Sequence, residues 1–166
     1  MKNTLVALAF IALPSLAFAQ APAAPAAPTT ATYDAGILRT WKGIHAKLLD
    51  MAKDLPEDKF SFKPHPDSRT MIEEFRHVTI GLEMTTAGLR GEKFDYTARV
   101  KADDTKPKTR ASVVSEMEAA IAASYAAADG KPLTSLIGWL DHQGEHYGKL
   151  VSNYRMLGIV PPVSRR

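Results

Sequence analysis

An all-α fold, a four-helix bundle with a long central connection, follows from three features of the sequence. Apolar residues recur at three- and four-residue steps in four separate segments, the spacing that places one face of a helix in a core. Helix-start and helix-stop residues bracket those segments. No stretch alternates polar and apolar side chains as a half-buried strand does. Four helices of roughly 18 to 26 residues, two on either side of a longer connection, suit a bundle.

The chain opens with Lys2, a short apolar stretch interrupted by Pro14, and Ala17-Phe18-Ala19, whose small residues suit signal-peptidase cleavage before Gln20. Residues 1–19 are expected to be a secretory signal peptide, which makes the protein periplasmic or secreted. The apolar part is shorter than the roughly 20 residues a membrane span requires, so no span is expected after cleavage. Residues 20–31, rich in alanine and proline, form an extended spacer. The bundle is assigned to residues 32–162 and a basic tail to 163–166.

From Thr32 to about Asp54, Ile37, Trp41, Ile44, Leu48 and Met51 form one buried stripe, and Pro56 ends the helix. Residues 60–68, with Pro64 and Pro66, read as a restricted loop. Thr70-Met71-Ile72-Glu73 matches a capping box, starting a second helix that runs to about Arg90 on a stripe of Met71, Phe75, Val78, Leu82 and Leu89. Residues 91–108 are polar, mixed in charge and broken by Pro107, which suggests the long connection, a crossover. Thr109 or Ser112 caps a third helix with an apolar face of Val113, Met117, Ala120 and Ile121, closed by Asp129-Gly130. Pro132 suits the first turn of a fourth helix reaching about Leu157, where Gly158 and Pro161-Pro162 stop it.

The chain has no cysteine, which removes disulfides, thiolate metal ligands and a cysteine nucleophile. A formal net charge of +3 arises from 21 basic and 18 acidic residues that are interspersed, not clustered, so no nucleic-acid partner is expected. No phosphate-binding glycine loop, nucleophile elbow or His-Glu-x-x-His motif occurs.

Histidine is left as the main soft ligand, and three histidines carry the chemistry. His142 and His146 are four residues apart, so both rings project from nearly the same side of a helix. They sit on the flank of the stripe formed by Leu136, Leu140, Tyr147, Val151 and Tyr154, at a border between core and solvent. His77 occupies a comparable flank of the second helix, with Gly81 one turn on; glycine there weakens the helix by about 1 kcal/mol against alanine and points to open volume beside His77. Three neutral nitrogens, one from one helix and two from another, suit a divalent metal and leave positions for water or substrate.

The remaining candidates read as structural. His45 falls on the buried side of the first helix as a hydrogen-bonded core histidine and a reserve ligand. His65, between two prolines, is a solvated or turn residue. Glu74, one turn before His77, either orients that ring, acts as a base, or simply favours the helix dipole. Trp41 and Trp139 are packing anchors, and Asp103-Asp104 a solvated charge cluster.

The run His142-Gln143-Gly144-Glu145-His146-Tyr147-Gly148, continuing through Tyr154-Arg155 to Gly158-Ile159-Val160-Pro161-Pro162, resembles the final helix of the DinB-like family of four-helix-bundle metalloproteins. Phe62-Lys63-Pro64 and Thr70 to His77 resemble the start of that family's second helix. The resemblance implies a metal triad at His77, His142 and His146 holding one divalent ion (nickel, zinc, iron or manganese), a homodimer, and a small-molecule substrate such as a thiol or thiol conjugate. The function expected is that of a metal-dependent enzyme, a hydrolase or thiol transferase, activating a bound water or substrate thiol. The alternative is a non-catalytic bundle that binds a metal or small ligand.

Overall fold

In the computed structural model, which describes residues 29–165, the regular structure consists of helices, and no strand occurs among the described residues. Helix α1 spans Thr30–Asp54, α2 Met71–Arg90, α3 Tyr96–Asp103, α4 Arg110–Ala128 and α5 Ile137–Met156. Single 3-10 turns occupy Glu57–Lys59, Thr134–Leu136 and Pro162–Ser164. The expected signal peptide and all but the end of the spacer lie outside the described residues.

Local chemistry explains the helix boundaries. The Thr29 hydroxyl accepts from the Thr32 amide, so α1 starts at Thr30 and not at Thr32. At α2 the capping box is complete: Glu73 N donates to Thr70 Oγ1, and Thr70 N donates to Glu73 Oε2 at 2.7 Å. Gly91 then caps α2 in the left-handed region at φ 73°, where glycine pays no Cβ penalty. Thr109, the first of the two candidate caps, accepts from Ser112 N and starts α4. Pro132 lies outside the last helix, because a 3-10 turn over Thr134–Leu136 intervenes before α5. The expected basic tail is tied down at Arg165, whose guanidinium donates to both carboxylate oxygens of Asp54 at 2.6 Å.

Helix α1 packs on α4 and α5, and α2 packs on the same two. One core cluster joins Met51, Phe75, Val113 and Tyr154; a second, at the other end, joins Trp41, Leu82, Ala128 and Leu136. These pairings make α2 parallel to α4 and antiparallel to α5. A parallel pair cannot be joined by a tight turn, which is why the chain between them is long. That crossover is not irregular throughout: it contains α3, capped by Asp95 accepting from Ala98 N at 2.9 Å. Helix α3 buries no residue, so no apolar stripe marks it in the sequence.

Ion pairs hold α3 in place. Arg99 donates to Glu83 of α2 at 2.6 Å and to Asp103, one turn on. Arg76 of α2, 4% exposed, donates to the Asp103 carboxylate and to the carbonyls of Asp103 and Pro107. Asp103 is therefore a structural anion between two arginines, and not part of a solvated cluster.

The buried face of α5 also departs from expectation. It runs through Gln143, His146, Leu150, Asn153 and Tyr154, continuing from Leu136 in the turn before it, while Leu140, Tyr147 and Val151 are only partly buried. The helix is rolled toward its histidine flank. His146 lies inside the protein, 7% exposed, and not on a border.

Candidate metal centre

The antiparallel packing of α2 on α5 sets Glu74 and His77, three residues apart on one side of α2, against His142 and His146, one turn apart on α5. The structure thus brings all three expected histidines together. Ring centroids are 4.7 Å apart for His77 and His146, 5.8 Å for His77 and His142, and 4.4 Å for His142 and His146. One nitrogen from each lies within 4.8 Å of the other two, so the group could hold a metal ion.

The donor chemistry fits such an ion. Nε2 of His142 and Nε2 of His146 are 3.2 Å apart. Two nitrogens bonded at about 2.0–2.1 Å to one tetrahedral ion stand about 3.3 Å from each other. Among the described residues the group consists of these three imidazoles, and three ligands on one ion would leave room for a small molecule, unlike a closed four-ligand structural site.

Glu74 is the residue whose role the sequence left open. Its carboxylate, 1% exposed, accepts from Nδ1 of His146 at 2.6 Å, so the ring it orients is that of His146 and not that of its helix neighbour His77. With Nδ1–H donating to Glu74, the lone pair of His146 Nε2 is turned toward His142. Burial works to raise the Glu74 carboxyl, but the hydrogen bond from His146, with the nearby positive groups of Lys149 and Arg69, outweighs it and holds the acid below its usual range. The Lys149 ammonium is 3.5 Å from Oε1 and the Arg69 guanidinium 3.6 Å from Oε2.

His77 has an orienting partner of its own in Tyr96, the first residue of α3, whose hydroxyl is 3.2 Å from Nδ1. Sequence reasoning missed this contact because the polar connection carries no apolar stripe; Asp95, a favourable N-cap residue whose carboxylate accepts from Ala98 N, is the one local signal of the short helix. Burial, reinforced by the charge of Arg69, holds the His77 ring at about 4, and burial also lowers His142. Both rings are therefore neutral near pH 7, the state in which imidazole binds a metal.

A cleft of about 620 Å³ opens beside His77 and His142. Gly81 lines it, as the expectation of open volume requires, and a Cβ there would make only ordinary contacts, 3.7 Å from Gln143 Nε2 and 3.9 Å from Trp139. Trp41 is the packing anchor expected, fully buried with its Nε1–H on Ser124 Oγ. Trp139 packs against the same core cluster as Trp41 but is only half-buried, and its remaining surface lines the cleft wall.

The reserve ligand is elsewhere. His45 is buried against Trp41, their centroids 4.2 Å apart, and neither of its ring nitrogens has a hydrogen-bond partner, contrary to the hydrogen-bonded core histidine expected. His65 is exposed, its Nδ1 accepting from the Asp67 amide as a turn residue does.

The sequence model of the DinB superfamily matches residues 41–150, a span that includes Glu74 and all three histidines. No solved structure gives a significant match.

Proposed function

The chain belongs to the DinB superfamily, and from that premise we propose that it is an exported metal-dependent enzyme with His77, His142 and His146 as the ligands of one divalent ion. The observation that carries the proposal is the convergence of three ring nitrogens within 4.8 Å at the edge of an open cleft, with a buried carboxylate behind one of them. An ion held there supplies Lewis-acid activation of a water or of a substrate thiol, the step common to hydrolysis and thiol transfer.

The chain's own residues do the rest. Glu74 fixes the tautomer of His146 and keeps negative charge behind it, which makes the opposite nitrogen a better donor. Tyr96 holds the His77 ring from the α3 side. Burial keeps His77 and His142 unprotonated. Lacking cysteine, the protein offers no thiol of its own, so a thiol in the reaction arrives with a small-molecule substrate. The four long helices are read as a four-helix bundle, entered from a cleaved signal peptide and acting as a homodimer in the periplasm or outside the cell.

Metal analysis of protein purified without an affinity tag is expected to find one transition-metal ion per chain, lost in His77→Ala. Turnover of thiol conjugates or simple esters by metal-loaded but not metal-free protein supports the enzyme. Saturable metal binding without turnover across a broad panel supports a carrier or binding protein instead.

A further inference from the structure

Resting on the metal reading above, we infer that the cleft beside His77 and His142 receives an uncharged apolar group, such as a phenyl ring, of the small molecule that binds at the triad. Its walls are Gly81 and Met84 from α2, Tyr96 from α3, and Gly138 and Trp139 from α5, none of them ionic. Apart from the two histidines, its lining side chains carry as polar groups the hydroxyls of Ser135 and Tyr96 and the indole N–H of Trp139. A charged group seated there would lose water and gain no counter-charge.

The contrast lies on the other side of Tyr96. A second cavity, about 340 Å³, shares Tyr96 and His77 with the first but is lined by Asp67, Arg69, Arg76 and Asp104. The charged side and the uncharged side of the site thus meet at the rings of His77 and Tyr96. A molecule held at the histidines finds a lining free of ionic side chains on the Trp139 side, whereas on the other side Ile80 and Val100 stand among charged residues.

Size and shape agree with that occupant. The volume lies within the range of about 300–1,000 Å³ usual for small-molecule sites, which are mostly apolar with a few convergent polar groups. Trp139 stands edge-to-face with His142, centroids 5.6 Å apart, and leaves half-buried indole surface at the cleft. Covering aromatic surface of this kind is favourable for any group that brings no charge with it.

Two hydroxamates with the same chelating head and different tails test the inference. Zinc-loaded protein is titrated with acetohydroxamate, which carries a methyl group, and with benzohydroxamate, which carries a phenyl; the expected preference for the phenyl compound is about tenfold or more. In Gly138→Leu, where a new Cβ meets nothing within 4 Å and the longer side chain occupies the cleft, the preference is expected to fall below about twofold. Separately, metal-free protein is titrated with benzyl alcohol and followed by the indole N–H resonances, with a shift expected at Trp139 and none at Trp41.

Equal affinity for the two hydroxamates on zinc-loaded protein, or an unmoved Trp139 resonance, overturns the inference and leaves the metal site standing. Failure to bind zinc overturns the underlying metal reading, and benzyl alcohol then decides the cleft by itself. Conversion of a dimer to a monomer by Gly138→Leu, with the phenyl preference intact, assigns the cleft to a second copy of the chain and also overturns the inference.

Discussion

The buried imidazole of His45, which is not part of the three-histidine group, makes the stability of this protein depend on pH. It is 1% exposed, stands edge-on to Trp41 and has no partner for either nitrogen. Burial alone holds its pKa at about 4, against the ordinary 6.5. Between those values the unfolded chain binds a proton that the folded chain refuses. Stability from this group is therefore whole above about pH 6.5 and is lost as pH falls toward 4. At about 1.4 kcal/mol per pH unit, the full loss is about 3.5 kcal/mol, and about 2.5 kcal/mol of it falls between pH 7.5 and 4.5. Leucine fills a similar volume without polar atoms. At pH 7.5, His45→Leu is expected to match or exceed the wild type by about 1–3 kcal/mol, the range set by relieving unpartnered buried polar atoms. At pH 4.5 its advantage widens by about 2.5 kcal/mol. Urea unfolding followed by circular dichroism at both pH values measures the two gaps. A gap independent of pH, or a His45 ring resonance titrating near 6.5 in the folded protein, refutes the reasoning.

Three further outcomes follow from named contacts. Glu74→Gln removes the charge behind His146 while keeping the side chain's shape, and metal affinity measured by calorimetry is expected to fall about 10- to 100-fold. Tyr96→Phe removes the partner of His77 Nδ1 at a more exposed position, so the fall should stay below about tenfold; a larger loss in Tyr96→Phe than in Glu74→Gln contradicts the ranking. Arg76→Ala takes away a buried cation bonded to Asp103 and Pro107, and should cost about 3 kcal/mol in urea unfolding, with the amides of α3 losing hydrogen-exchange protection first.

The extent to which the site was legible differs from element to element. The capping box at Thr70 and Glu73 could be read directly, because both partners lie within four residues and their bonds are local. The same holds for the buried stripe of α1 at Trp41, Leu48 and Met51, and for Gly158 at the end of α5. Helix α3 was not legible. It buries nothing, and its hold on the fold comes from Arg99 reaching Glu83 on another helix. The roll of α5 was hidden for a related reason: Gln143 and His146 are polar, yet their side is the one that meets α2.

By itself the amino-acid order determined an all-α chain, the four long helices to within a few residues at most ends, and three histidines as candidate ligands, because helical periodicity, caps and turn residues act over short distances along the backbone. Which ring Glu74 serves, which residue steadies His77, and on which side an apolar cleft opens were decided only when α2, α3 and α5 came together. Those contacts join residues 19 to 72 positions apart. Their geometry depends on the parallel crossing of α2 and α4 and on the rotation of α5 about its own axis, and neither leaves a periodic trace in the sequence.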